Sequence, residues 1–457
     1  MAEDASTATS ATASAATSAA AAAASPIPRL AWEGCSVLLD ANDGDRLVFA
    51  RLSPAATLKI GNKKCSLAPL VGCPFGSSFR VESGPNGPFL DRFVPSTLDN
   101  CAQDIADGQL TDDQKDNRSL VDNNTAQSLS SDDIDTMRRE GATGDKIIEA
   151  LIANSSTFGK KTAFSQEKYK IKKQKKYAPK VLLRRPSTRS ICETYFKKHP
   201  ARTGFLRVDT LSLLLSMANV GAYSDVLVVD MVGGLLTGAI AERLGGTGYV
   251  CSTYFGSVPN PIDIVKMFNF SSGVCSRVVQ APFNDLCSSQ STTDELTIKS
   301  DEKADRASSN EPFVQEEDSL LECGDEDNIP AIQKSIKPGK QPSPETIKYW
   351  KENGFSSLIV AAPESKVGKL VTDLLPLLAY SAPFAIYHQY LQPLATCMHK
   401  LQTSRMAVGL QISEPWLREY QILPSRTHPH MQMNAFGGYI LSGTRICSSE
   451  AFDGIKK

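Results

Sequence analysis

The sequence has few of the residues from which metal sites and disulfide frameworks are built. Its 11 Cys include no C-x-x-C pair, and an odd set of thiols without a pattern indicates reduced cysteines in a cytosolic or nuclear protein. The 5 His contain one close pair, His428 and His430, and no third ligand lies nearby, which argues against zinc. No apolar run reaches about 18–20 residues, so no membrane-spanning helix is predicted.

Net charge is nearly absent as well, but the average conceals two strongly charged segments. The chain has 49 Lys and Arg against 50 Asp and Glu. Residues 159–202 hold 15 basic residues against two Glu, a net +13, and residues 284–328 hold 14 acidic against three basic residues, a net −11. Charges this dense repel one another unless a polyanion neutralises them. The neutral average therefore does not exclude a nucleic-acid partner.

Composition predicts about two folded domains in the 457 residues, with low-complexity segments around and between them. Short β-prone runs separated by turns follow residue 28 and predict a small β-barrel-like domain. Strands alternating with helices predict a Rossmann-like α/β domain with a parallel sheet. The division we predict is a disordered Ala/Ser/Thr-rich tail at 1–27, the β-rich domain at 28–100, a helical connector and basic segment at 101–202, the first Rossmann-like half at 203–285, an acidic disordered insertion at 286–344, the second half at 345–447 and a tail at 448–457.

The N-terminal tail has one alternative interpretation. A plastid transit peptide is also rich in Ser and poor in acids, but such peptides carry Arg, and no Arg precedes Arg29. The disordered tail is therefore favoured.

The first strand of the α/β domain ends in a turn that resembles a nucleotide-binding turn with parts missing. Asp230 and a glycine pair follow the strand at 226–229, where backbone N–H groups cradle a ligand in such folds. Val232 and Leu236 replace two glycines of the x-Gly-x-Gly-x-Gly turn typical of S-adenosylmethionine-dependent methyltransferases, and bulky side chains are poor there. Tyr254 ends the next strand, where an acid normally holds the ribose. We predict a degenerate cofactor site at Asp230, Val232, Gly233, Gly234, Leu236 and Tyr254.

A third strand, at 358–360, ends in Ala361 and Ala362. An enzyme that methylates N1 of adenosine would need a carboxylate at this strand end to position a proton, and alanine cannot serve. Glu364 lies beyond a proline and is predicted to be a surface residue. We therefore predict no catalytic residue in this chain.

The basic segment predicts contact with RNA. Its lysines surround a helix, or occupy both faces of a strand, and cannot all pack inward. Tyr169 and Tyr177 are candidates for stacking on bases, and the arginines for forked hydrogen bonds to phosphates. A solvated face, or a nuclear localisation signal at 172–176, is the alternative interpretation. The candidate RNA-binding residues are Lys168, Lys170, Lys172, Lys173, Lys175, Lys176, Arg184, Arg185 and Arg189.

Several separated motifs, in order along the chain, resemble one protein family. They lie at 116–127, 166–176, 183–189, 207–210, 426–433 and 437–439. Over residues 30–285 and 340–445 the sequence is similar to the non-catalytic subunits of the eukaryotic tRNA adenosine-58 N1-methyltransferase.

The resemblance implies a β-barrel-like N-terminal domain and a Rossmann-like C-terminal domain without chemistry, cofactor or metal of its own. It also implies a two-plus-two heterotetramer with a catalytic paralogue that holds S-adenosylmethionine, while this subunit contributes to the tRNA-binding surface. We further expect a nuclear location. Two alternatives remain: an active S-adenosylmethionine-dependent RNA methyltransferase with an atypical site, and a stand-alone RNA-binding translation factor.

Overall fold

The computed structural model describes residues 28–42, 44–60, 63–84, 87–93, 127–287, 337–422, 427–431, 433–434 and 436–447. Both predicted tails, nearly all of the predicted acidic insertion and most of the motif at 116–127 lie outside these ranges. The described chain forms two sheet-based domains joined by a helical region. Within the described ranges, no helix combines the length and the apolar character needed to cross a bilayer.

The N-terminal domain is an antiparallel sheet that bears a hairpin. Its strands are β1 (Ser36–Ala41), β2 (Arg46–Arg51), β3 (Thr57–Ile60), β4 (Lys63–Ser66), β5 (Ser78–Gly84), β6 (Gly87–Phe93) and β7 (Lys180–Arg184). The five-stranded sheet has the order β2-β1-β7-β5-β6, and β3 pairs with β4 separately. Alternating apolar residues such as Val37, Leu39 and Val81 share one buried face, where the hairpin contributes Ile60 and Cys65.

Strand β7 is the point at which the structure departs from the predicted division of the chain. The predicted connector at 101–202 includes this strand, whereas in the structure it is the central strand of the N-terminal sheet, between β1 and β5. The reason is that Val181 and Leu183 are apolar at alternate positions and complete the core of that sheet.

The connector itself is helical. It contains α1 (Ser131–Arg139), α2 (Gly144–Ala153) and α3 (Ala163–Tyr177). Ser130 caps α1 in a reciprocal arrangement with Asp133, and Thr162 caps α3. The apolar face of α2, which includes Ile147 and Leu151, packs against the C-terminal end of α3.

The C-terminal domain is the predicted Rossmann-like domain. Its elements are α4 (Thr188–Lys198), α5 (Val208–Met217), β8 (Val226–Asp230), α6 (Leu235–Leu244), β9 (Val250–Tyr254), α7 (Ser272–Cys275), β10 (Val278–Pro282), α8 (Phe283–Cys287), α9 (Pro344–Asn353), β11 (Ser357–Ala361), α10 (Val367–Leu374), β12 (Pro383–His388), α11 (Leu391–Thr403), β13 (Ala407–Ser413), β14 (Tyr420–Gln421), β15 (His428–Pro429) and β16 (Tyr439–Arg445).

Its seven-stranded sheet has the order β10-β9-β8-β11-β12-β16-β13. The first five strands are parallel, and β16 runs antiparallel to both of its neighbours, β12 and β13. Strand β8 is buried along its whole length because apolar clusters cover both faces of the sheet. The fold prediction, an α/β chain with a separate N-terminal β-domain, is therefore confirmed.

Candidate functional site

Asp230, at the end of β8, accepts hydrogen bonds from the turn that follows it and from the first turn of α6. Its Oδ1 accepts hydrogen bonds from the backbone N–H groups of Val232 (2.9 Å) and Gly234 (3.1 Å). Its Oδ2 accepts from the N–H (2.8 Å) and the hydroxyl (2.9 Å) of Thr237. Complete burial raises the pKa of Asp230, and these hydrogen bonds oppose that rise. The carboxylate therefore satisfies the N-terminal end of α6 and has no free acceptor for a ligand.

The two glycines of the turn pack against other residues of the chain rather than facing an open surface. Gly233 (φ +75°) and Gly234 (φ +90°) adopt the left-handed conformation that glycine permits. A Cβ on Gly234 would lie 2.6 Å from Ile262 Cα, and one on Gly233 would lie 3.1 Å from Ile264 Cδ1. The Ile264 N–H also donates to the Gly233 carbonyl at 3.2 Å. The chain around the 3-10 helix Asp263–Phe268 therefore covers the surface that a cofactor would approach.

The other side chains of the predicted degenerate site, and the two alanines at the end of β11, are part of the core. Tyr254 is 5% exposed at the end of β9. Glu364 lies at the surface, as the sequence predicts. The remaining residues have no exposed surface: Val232, Leu236, Ala361 and Ala362. Val232 and Leu236 after β8, and the residues that end β9 and β11, are therefore packed into the core.

The segment that covers the glycine turn also holds the N-terminal domain. Asn269, which follows the 3-10 helix, accepts from the Ser36 N–H (2.8 Å) and donates to the Ser36 carbonyl (2.7 Å). Asn269 is left-handed (φ 55°), a conformation that Asn tolerates better than most residues. Phe49 packs against Tyr195 nearby, with the ring centroids 5.7 Å apart and the ring planes tilted by 31°. This contact fixes the first strand of one domain against the other.

We expect Asn269→Gly to loosen this contact without changing the backbone, because Gly accepts the left-handed conformation. Loss of the two hydrogen bonds should cost about 1–2 kcal/mol and speed exchange of the Ser36 amide by about tenfold, as measured by hydrogen exchange. Asn219→Gly is the matched control, since Asn219 is exposed and has φ 49°. Equal exchange at Ser36 in both variants would show that Asn269 does not hold the domains.

The six lysines predicted to bind RNA divide between two faces of α3, and the three arginines follow that helix in the chain. Lys168, Lys172 and Lys175 follow at i, i+4 and i+7, and all three are exposed. We call them the outward lysine row. Ile171, 45% exposed, lies beside them, so this side of the helix has no protein cover.

The other lysines of α3 lie over aromatic rings. The distances from ammonium nitrogen to ring centroid are 6.0 Å for Lys170 on Phe158, 5.1 Å for Lys173 on Tyr169 and 5.1 Å for Lys176 on Tyr177. Tyr177 is 7% exposed and packs with Ile147 and Leu151. The prediction that Tyr177 stacks on bases is therefore wrong, because the face of α3 that carries it packs on α2.

Some of the residues predicted to bind RNA form ion pairs with carboxylates of this chain, and others do not. Lys175 pairs with Asp45 at 2.7 Å, Arg184 with Asp40 at 3.0 Å and Arg189 with Glu193 at 2.8 Å. Arg185 is half-buried. Across the described ranges, Lys168 and Lys172 form no ion pair, which leaves these two lysines best placed to meet an anion.

Two motifs recognised only by their resemblance meet at a buried arginine. Arg207 is 4% exposed and forms a forked ion pair with Asp209, at 2.6 and 2.7 Å. It also donates to the carbonyls of Asn434 (2.6 Å) and Pro415 (3.2 Å). The Thr210 hydroxyl donates to the Gly437 carbonyl at 2.6 Å. The start of α5 thus anchors a segment more than 200 residues away.

That anchored segment is an apolar surface which sequence reasoning missed. Between β13 and β16 the described residues 414–422, 427–431, 433–434 and 436–438 lie outside the seven-stranded sheet, and we call them the excursion. Trp416 (79%), Ile422 (78%) and Met431 (89%) are largely exposed. A shallow groove of about 130 Å³ is lined by Trp416, Leu417, Arg418, Met431 and Met433. Exposed apolar patches of this kind mark interaction sites, and their sequence signal is a run of Trp, Leu, Ile and Met without helix or strand periodicity.

The excursion also carries the close histidine pair. His428 and His430 lie in or next to β15, and no group of three or more metal-ligating side chains occurs within the described part of the chain.

Comparisons with known proteins agree on one family. The model of the Gcd10p family matches residues 32–318. A protein of Dictyostelium discoideum, named tRNA (adenine(58)-N(1))-methyltransferase non-catalytic subunit, is 34% identical over 422 residues, covering 91% of this chain and 79% of its own. A Mus musculus protein of the same name is 31% identical, covering 89% and 88%. Among solved structures, a SAM-dependent O-methyltransferase from Thermotoga maritima is 11% identical, with a TM-score of 0.46 and coverage of 92% and 96%.

Proposed function

This chain belongs to the Gcd10p family, and on that basis we propose that it is the non-catalytic, tRNA-binding subunit of the complex that methylates N1 of adenosine 58 in tRNA. The observation that carries the proposal is the filled cofactor turn: Asp230 is fully hydrogen-bonded, and Ile262 and Ile264 cover the glycines. A chain with this turn contributes binding and assembly rather than chemistry.

The same turn indicates which subunit of the complex binds the cofactor. We propose that S-adenosylmethionine is bound by a catalytic paralogue and not by this chain. The supporting reason is that a cofactor at Gly234 would have to displace the Ile262 backbone, which packs against it. The proposed assembly is a heterotetramer of two copies of each subunit.

The excursion is the surface that we propose for the catalytic partner. Trp416 and Met431 are large, apolar and exposed, and aromatic and Met side chains are enriched in the buried centres of protein interfaces. The Arg207 network fixes the backbone of the excursion, so that the surface is formed before the partner binds.

The outward lysine row is the surface that we propose for tRNA. Its exposed lysines are separated by single helical turns, and the ammonium groups of Lys168 and Lys172, which form no ion pair over the described ranges, suit backbone phosphates, whereas Lys175 pairs with Asp45. We also propose a nuclear location, for which the exposed basic run on α3 is the support.

The test is methyl transfer to an unmodified tRNA transcript by this chain, by the catalytic paralogue, and by their mixture. We expect activity above background from the mixture and none from this chain alone. Calorimetry should place S-adenosylmethionine binding in the paralogue. Micromolar cofactor binding by this chain alone would favour the active-enzyme alternative, and full activity of the paralogue alone would contradict the subunit role.

A prediction about salt follows for the outward lysine row. Lys168→Gln combined with Lys172→Gln should weaken tRNA binding by the assembled complex and lower the slope of log affinity against log salt by about 1.4–1.8, since each lost phosphate contact removes roughly 0.7–0.9. Filter binding across a salt series measures both. Lys173→Gln is the control because Lys173 lies over Tyr169. If the double variant kept the slope of the unmodified complex, these lysines would not contact phosphates.

A further inference from the structure

The β3–β4 hairpin places two lysines directly opposite each other. The strand register pairs Lys59 with Lys64 on the exposed face, while Ile60 and Cys65 point into the core. Like charges at directly opposed positions destabilise a strand pair, because their Cβ atoms are only about 4.5–5.5 Å apart. Over the described ranges neither lysine forms an ion pair that would relieve this repulsion. The pair therefore costs stability in the isolated protein.

Arg46, at the start of β2, brings a third exposed cation to this face. Its Nη1 donates to the Lys59 carbonyl at 3.0 Å, which holds the guanidinium against the hairpin. An anion bound between these groups would neutralise three cations that otherwise repel one another.

The same turn joins the hairpin to α3. Asp45, the residue before Arg46, pairs with Lys175 of the outward lysine row at 2.7 Å. Asn42 donates to the Lys175 carbonyl at 3.3 Å and accepts from the Lys180 N–H at 3.1 Å. These contacts fix the C-terminal end of the basic helix beside the β1–β2 turn, which leads directly into Arg46.

We propose that Arg46, Lys59 and Lys64 form a second phosphate-binding patch, which contacts the sugar-phosphate backbone of the tRNA alongside the outward lysine row. The inference rests on the proposed function. Backbone phosphates suit the patch because the Lys59 and Lys64 ammonium groups are compact point charges and the Arg46 guanidinium matches the geometry of a phosphate. A bound phosphate would also attract both ammonium groups and so offset the repulsion between Lys59 and Lys64. Phosphate binding therefore explains why two lysines occupy directly opposed positions.

The test is Lys59→Gln combined with Lys64→Gln in the full-length chain, assembled with its catalytic partner, and the probe is an unmodified tRNA transcript. We expect weaker binding, with the salt slope lowered by about 1.4–1.8 for two lost contacts. Thermal unfolding of the variant should be unchanged or slightly raised, because the repulsion is removed. A purely structural role would instead lower the unfolding temperature and leave the salt slope as it was.

Lys369→Gln combined with Lys400→Gln is the control, since both lysines are exposed on helices of the other domain. If the hairpin variant binds like this control while the Lys168/Lys172 variant is weakened, the second patch is overturned and the proposed function stands. If neither the hairpin nor the Lys168/Lys172 variant is weakened, tRNA binding by this chain is overturned as well.

Discussion

Arg207→Ala should lower the free energy of unfolding of the C-terminal domain by about 3–5 kcal/mol, because it removes one partner of a buried ion pair and leaves the other unpaired. Asp209 is only 19% exposed and would lose both hydrogen bonds of the fork. The Asn434 and Pro415 carbonyls would lose their donor as well. Urea unfolding followed by circular dichroism measures the change.

We expect Arg207→Ala to loosen the excursion as well as to destabilise the domain. Without Arg207 its two carbonyl anchors are gone, so we expect faster amide exchange over the described residues 414–422 and weaker association with the catalytic partner. Local loosening and global destabilisation are separable, because exchange reports the first and urea unfolding the second.

Two further variants sharpen this prediction. Arg207→Ala combined with Asp209→Ala should be less destabilised than the sum of the single variants, because no unpaired charge remains. Arg189→Ala is the matched control: its pair with Glu193 is exposed and should contribute at most about 0.5 kcal/mol. Similar losses for Arg189→Ala and Arg207→Ala would contradict the structural role assigned to the buried fork.

Trp416→Ala combined with Met431→Ala should weaken assembly with the catalytic partner by about 30- to 1000-fold, the range of two to four kcal/mol typical of central interface residues. Both side chains are largely solvent-exposed in this chain alone, so their removal should leave its stability nearly unchanged. Analytical ultracentrifugation of the mixed subunits measures both the affinity and the stoichiometry, which we expect to be two plus two.

Tyr349→Ala is the control for this variant. Tyr349 is 56% exposed on α9, and alanine is well tolerated in a helix. Assembly should be unaffected by it. If the Trp416/Met431 variant assembled as tightly as the Tyr349 variant, the excursion would not be the partner surface.

Local pattern was sufficient for most elements of the fold. Strand β8 and its glycine turn follow from an apolar run ending in Asp230, whereas the sequence left helix and strand open for the basic segment that forms α3. The pairing of Lys59 with Lys64 follows from strand spacing as well, because a two-residue connection at 61–62 fixes the hairpin register. Such features depend on neighbours a few residues apart.

Contacts between distant segments could not be predicted in this way. Periodicity indicates that α3 has faces, but the position of α2 decides that Tyr177 is buried. The alternating apolar residues Val181 and Leu183 suit a strand, but closure of the N-terminal core decides that β7 lies between β1 and β5.

The sequence by itself determined which residue types occupy the strand ends: Val232, Leu236, Tyr254 and the Ala361–Ala362 pair predict a degenerate site from residue chemistry alone. The tertiary structure decided what packs around that turn and around the other anchoring residues. Ile262 and Ile264 fill the turn, Asn269 holds the first strand, and Arg207 holds the excursion. Residue type sets which chemistry a position can perform, whereas long-range packing sets which partner it meets, and no local pattern specifies that partner.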